Sequence, residues 1–299
     1  MHETDLEDAA MAAGCPLCAN AAALKPAMDK DGYTIVRCAN CGVGRTVVHS
    51  FDPEAHYVEG YFTGAQGQAY LDYEGSEKTL RREFSRTVDF LLSFVPKGGK
   101  LLEIGCAYGF FLQEAKRAFD VHGVEVAQTA VAFCHRTGLP NVTQGVLTED
   151  MLQRIGPLDA IVMLDVIEHI DDVAGTMEMA SRHLKPGGVI LLTTGDWSSL
   201  AAKLTGRRWR LLTPPLHLWY FTPKSLQTLF QRLGCTKVHL SHPWKLVPLE
   251  LILSQATTML GLKWNVQVPR WAANVGVPAT MFDAMRMVFR KTDPTGPKI

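Results

Sequence analysis

The sequence predicts a doubly wound parallel α/β sheet behind a small β-rich module that carries paired cysteines. Three observations predict it. Strand-like apolar runs alternate with helical ones from residue 99 onward, a glycine turn follows the first of those runs, and four of the seven cysteines fall in two C-x-x-C pairs near the start.

Residues 14 to 50 combine the cysteine pairs with short alternating stretches such as Tyr33, Thr34, Ile35, Val36 and Arg37, a pattern suited to strands. From 76 to 95, Leu80, Phe84, Leu91, Leu92 and Val95 recur at helical spacing until Pro96, Lys97, Gly98 and Gly99 stop the run. Strands are then expected at 101–104, 121–126, 160–164 and 189–193, with helices between them. Two later strands are expected at 237–240 and 284–289, separated by a long insertion. The expected organisation is an N-terminal module at 1–50, a linker and helical lead-in at 51–98, and an α/β domain at 99–299 with a helical insertion at 243–280.

Across 299 residues, 30 basic and 30 acidic side chains cancel, and 47% of the residues are hydrophobic. That balance belongs to an ordinary globular chain rather than a disordered one. A neutral chain also lacks the broad basic face that phosphate neutralisation demands, which counts against a nucleic-acid partner. The acidic start has no basic-then-apolar secretory layout. Cys106, Cys134 and Cys235 are scattered through apolar segments, and a reducing, cytoplasmic setting suits such cysteines. Glu250, Ser254 and Gln255 interrupt the best apolar stretch before it reaches the ~20 residues that span a bilayer.

The densest signal runs from Leu101 through Glu103, Ile104, Gly105, Cys106 and Gly109 to Leu112: a buried strand, a glycine turn and a helix start. Glycine suits the turn because the backbone bends tightly and a ligand approaches with no Cβ in the way. An ordinary strand-to-helix turn uses glycine too. The added weight comes from Glu125, at the end of the second strand, where a carboxylate accepts hydrogen bonds from two ribose hydroxyls. That spacing serves a nicotinamide dinucleotide equally well. Yet E-x-G-x-x-x-G lacks the middle glycine that admits a pyrophosphate, so the ligand looks like a nucleoside without phosphates.

These residues, with Gly123-Val124-Glu125, the run D-A-I-V-M-L-D-V-I-E-H-I at 159–170 and L-K-P-G-G at 184–188, resemble in order and spacing the motifs of class I S-adenosylmethionine-dependent methyltransferases. The resemblance implies a Rossmann-like sheet and S-adenosylmethionine as cofactor. It places Glu103, Gly105, Cys106 and Gly109 around the methionine part, Glu125 and Val126 at the ribose, and Val146 and Leu147 beside the adenine. Asp165 joins that set. Tyr61 or Tyr70 would cover the cofactor, although plain packing is the better reading for both. One departure stands out: no acid directly follows Gly145, so adenine contacts there would run through the backbone.

Cys15 and Cys18 precede Cys38 and Cys41 at the spacing of a zinc ribbon, because two thiolate pairs on tight knuckles meet the tetrahedral preference of Zn2+. Gly14, Gly42 and Gly44 suit those knuckles. A structural zinc is expected, ahead of a lost metal or redox pair, with disulfides behind. A closed four-cysteine site has no open coordination position, so it folds the module and performs no chemistry. The layout resembles a bacterial group with a ribbon ahead of the methyltransferase domain, often acting on sugars or other small metabolites. The segments 206–210 and 215–222 extend that similarity to about residue 240.

Methyl transfer from a sulfonium is an in-line displacement, so alignment is the main task and a base is needed only when the acceptor must lose a proton. His169, His217 and Asp196 are the candidates. For His169, holding its loop is as good a reading as catalysis. His217 resembles the family's lid histidine. Asp196 stands where related sequences often show T-P-N, which reports a different acceptor or merely a different turn. In the insertion, Leu249, Ile252, Leu253, Ala256 and Leu260 share a helical face flanked by Trp244, Trp264 and Trp271. That face is expected to pack on its own core or on a second copy of the chain in a homodimer. A lid over an apolar acceptor, or peripheral contact with the inner membrane face, is the alternative.

The sequence therefore reads as a methyltransferase acting on an O or C atom of a small acceptor: a sugar, a glycan precursor or a lipid-linked metabolite. The alternative is a zinc-ribbon RNA methyltransferase, for which Arg207, Arg208 and Arg210 speak and the neutral charge does not. A non-catalytic cofactor-binding protein comes third, against the intact glycine turn and Glu125.

Overall fold

The computed structural model describes residues 14–20, 24–48, 75–249, 252, 275–280 and 282–293. Its main sheet has seven strands: β4 (Lys100–Ile104), β5 (Asp120–Glu125), β6 (Val142–Gln144), β7 (Leu158–Leu164), β8 (Leu184–Gly195), β10 (Cys235–Ser241) and β13 (Ala284–Lys291), ordered β10-β13-β8-β7-β4-β5-β6. β4 pairs in parallel with β5 and β7, and β5 with β6. β13 runs antiparallel to both β8 and β10. This is the mostly parallel, Rossmann-like sheet expected from the alternation of apolar runs, and each expected strand lies within an observed one or within one residue of it.

Contacts divide the chain into two compact units, one of residues 52–162 and 244–280, the other of residues 1–51, 163–243 and 281–299. In the first, helices α1 (Glu77–Leu91), α2 (Phe110–Ala115), α3 (Gln128–Arg136) and α4 (Glu149–Ile155) accompany β4 to β7. α1 buries Leu80, Val88 and Leu91 in line with its helical spacing. Leu101 and Leu102 of β4 are fully buried, as a strand covered on both faces requires. Leu80, Tyr108, Phe110, Ala127 and Ala130 form one core cluster, in which Tyr108 meets Phe133 edge to face at 4.9 Å. Within the insertion, β11 (Lys245–Pro248) and β12 (Gly276–Ala279) form an antiparallel pair that the sequence did not lead us to expect. The insertion helix expected to carry Leu249 to Leu260 falls largely outside the described residues, as do Trp264 and Trp271.

In the second unit, β1 (Leu24–Lys30), β2 (Tyr33–Cys38) and β3 (Gly44–Thr46) continue into β9 (Trp219–Tyr220) as an antiparallel sheet ordered β1-β2-β3-β9. The N-terminal module is thereby joined to a segment nearly two hundred residues later by backbone hydrogen bonds. Helices α5 (Val173–Arg182), α6 (Leu200–Thr205) and α7 (Pro223–Arg232) belong here. α7 starts with a capping box between Thr222 and Ser225 and has Pro223 in its first turn, where a missing N–H costs nothing. Its Phe230 stacks on Phe289 of β13 at 4.2 Å. Among the described residues, no helix is long and apolar enough to cross a membrane.

Candidate active site

The turn after β4 takes left-handed backbone at Gly105 (φ +72°), Ala107 (φ +46°) and Gly109 (φ +71°). At Gly109 a side chain also has no room, since a Cβ would lie 2.5 Å from Leu139 Cδ1 and 2.8 Å from Cys134 Sγ. The turn is moored to β5. Gly105 N donates to Val124 O at 2.8 Å, and Glu125 accepts from Ala107 N at 2.8 Å and Ala127 N at 2.9 Å, one amide on each carboxylate oxygen. The carboxylate keeps lone-pair capacity for a ribose hydroxyl. Burial raises the Glu125 carboxyl above its ordinary value, against the pull of the amides. Glu103 is raised well above its own, chiefly by burial, and its Oε2 finds no hydrogen-bond partner among the described residues. An orphaned buried carboxyl oxygen, a strand-end carboxylate and a tight turn with left-handed backbone at Gly105 fit a nucleoside cofactor with a charged amino-acid tail.

The other expected cofactor residues are distributed unevenly. Cys106 turns its thiol inward, where a Cβ on Gly123 would come within 2.8 Å of its Sγ, so only its backbone faces outward to a ligand. Val126 is half-buried just after β5. Beyond β6, Gly145 N donates to Glu125 O at 2.9 Å, leaving Val146 54% exposed and Leu147 buried. Asp165 belongs to the second unit and takes a left-handed backbone (φ +57°); its Oδ1 accepts from Thr193 Oγ1 at 2.9 Å. Tyr61 and Tyr70 lie outside the described residues.

In the second unit, a 3-10 turn at Ile167–His169 follows β7 and places the buried Glu168 beside His169. His169 Nδ1 bonds Leu216 O at 2.8 Å and His217 Nδ1 bonds Leu211 O at 2.7 Å, and the two rings meet edge to face at 4.8 Å. A ring nitrogen facing a carbonyl must donate, so Nε2 carries the lone pair in both. Desolvation pulls His169 down to about 4 and His217 to about 3. Both imidazoles are neutral near pH 7 and too weakly basic to be strong proton acceptors.

Asp196 has a different setting. It follows β8 almost fully buried, and its Oδ1 accepts from Ser198 N at 2.8 Å and Ser198 Oγ at 2.6 Å. Its Oδ2 faces His242 Nε2 at 2.9 Å, and the His242 side chain is 28% exposed. β8 and β10 run the same way on either side of β13, so residues just beyond their carboxyl ends come together. Sequence reasoning missed His242. A histidine just past one strand and an acid just past another were visible, but only the strand order brings them into contact.

The four ribbon cysteines are unbridged thiols gathered in one cluster. Sγ separations of 3.6 Å for Cys15–Cys41 and for Cys18–Cys38 are close to the edge of a tetrahedron with Zn–S bonds of about 2.3 Å. Gly14 and Gly42 have the positive φ that knuckles need, +73° and +82°. Gly44 does not belong with them: it lies in β3, where a Cβ would run into the Trp197 ring. Arg210 is likewise unavailable to a basic surface cluster with Arg207 and Arg208. Its Nε and Nη2 bond the fully buried Asp283 at 3.0 Å and 2.8 Å, where Trp209 Nε1 also donates at 2.9 Å.

Residues 76–240 match a family model described as a methyltransferase domain. Over 179 residues the chain is 29% identical to a ubiquinone biosynthesis O-methyltransferase of Cereibacter sphaeroides, covering 56% of this chain and 71% of that one. Over 138 residues it is 25% identical to a protein of the same name from Methylococcus capsulatus, covering 44% and 58%. A solved SAM-dependent methyltransferase from Archaeoglobus fulgidus superposes with a TM-score of 0.50 at 16% identity, over 72% of this chain and 97% of that one, a likeness of fold.

Proposed function

Because this chain belongs to the methyltransferase-domain family and so takes its methyl group from S-adenosylmethionine, we propose that it delivers that group to a hydroxyl oxygen of a small-molecule acceptor. The observation that carries the proposal is the Asp196–His242 pair. S-adenosylmethionine, when bound, supplies an electrophilic methyl on a sulfonium sulfur, open to in-line attack. Glu125 would hold the ribose hydroxyls, with the turn after β4 beside the methionine end. Asp196 receives Nε2–H of His242, which leaves the lone pair on Nδ1. A lone pair on Nδ1 with a carboxylate behind Nε2 to steady the imidazolium is the arrangement that a proton-accepting histidine needs. Of the three candidates from the sequence, Asp196 therefore acts by orienting His242, while His169 and His217 are not assigned the proton. The four ribbon thiols fit a closed, structural Zn2+.

The names of the two relatives support an oxygen acceptor, and favour a lipid-linked hydroxyl over a sugar or glycan precursor. The ion pair of half-buried Arg210 with fully buried Asp283 weakens the RNA alternative. Incubating the protein with methyl-labelled S-adenosylmethionine and cell extract, then separating lipid, polar and RNA fractions, tests the reading. Label is expected in the lipid fraction as an alkali-stable methyl ether. Label in the polar fraction would move the acceptor to a sugar, and label in RNA would overturn the proposal.

A further inference from the structure

We infer that Glu168, His169 and His217 form a metal site for a divalent transition ion of the Zn2+, Fe2+ or Mn2+ kind, distinct from the four-cysteine cluster. Their donor atoms, one carboxylate oxygen and two imidazole nitrogens, lie within 4.8 Å of one another. Ligands at about 2.0–2.2 Å from a shared ion stand roughly 3–4 Å apart, so each donor needs to close by well under about 1 Å.

The imidazoles are already set for the task. Each donates Nδ1–H to a backbone carbonyl, His169 to Leu216 at 2.8 Å and His217 to Leu211 at 2.7 Å. Hydrogen bonding of the distal nitrogen is the arrangement that orients ligating histidines, because it fixes the tautomer and aims the Nε2 lone pair. Beside Glu168 and His217 lies a cavity of about 10 Å3, walled by Trp209, Trp219 and Tyr220. That is room for about one water-sized particle, and so for one ion. Two nitrogens and one oxygen select a borderline transition ion over Ca2+ or Mg2+, which prefer all-oxygen shells.

Two of the ligands come from the turn at Ile167–His169, and the third from the loop just ahead of β9. An ion there would clasp those segments together, and three protein ligands leave coordination positions open, unlike the cysteine site. None of this depends on which acceptor is methylated.

The test uses the full chain with its ribbon loaded with Zn2+, titrated with Co2+ and followed by absorption and elemental analysis. The expected result is one Co2+ per chain beyond the zinc, with d–d bands but no thiolate-to-metal charge-transfer band, and loss of that equivalent in His217→Ala and Glu168→Gln. Cobalt taken up only with a thiolate signature, or none beyond the zinc, overturns the site on the wild-type protein alone, whether or not the variants fold. Uptake unchanged in a folded His217→Ala protein overturns it as well. A negative result leaves the methyl-transfer proposal standing, since the readout involves no acceptor and no cofactor.

Discussion

Glu125 works before any ligand arrives, because its two oxygens already hold the amides of Ala107 and Ala127 and so keep the glycine turn against β5. Replacing it with alanine should weaken S-adenosylhomocysteine binding by roughly 10- to 150-fold, the equivalent of about 1.5–3 kcal/mol for hydrogen bonds to a charged group. Calorimetry beside an unchanged circular-dichroism spectrum would check this, and unaltered affinity would remove Glu125 from the site. Glu103 makes a different statement. Burial first, then the nearby Cys134 and Glu125, raise its carboxyl well above 4.5. Above that value the unfolded chain gives up a proton that the folded chain retains, so the folded state binds more protons and stability falls as pH rises through the window. Glu103→Gln has no proton to lose. The cofactor-free variant should therefore be more stable than the parent at about pH 7, with the advantage fading as the pH drops below the ordinary carboxylate value; urea midpoints at the two pH values decide it. At the proposed base, His242→Gln should lower kcat by about 10²-fold or more with little change in cofactor affinity, and Asp196→Asn should act in the same direction. A rate that survives both changes would leave the proton without an acceptor here.

At the level of strands and turns, the short β3 strand shows what glycine can do without any unusual backbone. Gly44 gives its side-chain space to Trp197, which packs with Ile35, Trp209, Leu212 and Tyr220. Gly44→Ala should therefore destabilise the fold by about 1–3 kcal/mol through overpacking, read as a lowered denaturation midpoint; a neutral outcome would mean that Trp197 repacks freely. The same residue marks where sequence reasoning reaches its limit. Strands such as β4 and β8 were legible because burial on both faces demands continuous apolar runs, and the cysteine cluster was legible because two C-x-x-C pairs stand out at ribbon spacing. β11 and β12 were not, since Lys245, Pro248, Gly276 and Pro278 leave only short, broken patterns. Gly44 was assigned to a knuckle because a glycine's neighbours in space cannot be read from its neighbours in sequence. The contact of Asp196 with His242 was hidden for the same reason.

Across the whole molecule, the ribbon is fastened to later segments of its own unit at several points. Thr46 Oγ1 donates to His217 O at 2.8 Å and lies 3.2 Å from Tyr220 OH. Arg232 reaches Pro16 O and Leu17 O at 2.7 and 2.8 Å, Lys224 donates to Asn40 O, and Thr222 Oγ1 donates to Cys41 O at 3.2 Å. Stripping the proposed ribbon Zn2+ with a chelator should therefore raise amide exchange at Trp219 and Tyr220 as well as within residues 24–46. Faster exchange confined to 24–46 would refute the coupling. The placement of β13 has a further consequence, for biosynthesis. β8 and β10 emerge from the ribosome with a gap between them that only residues 284–291 fill. Until those residues are made, two bare strand edges stand open, a template for pairing with a neighbouring nascent chain. A stop codon just upstream would thus leave an adhesive half-sheet, stripped also of the acid that anchors Trp209 and Arg210, instead of a slightly shortened enzyme.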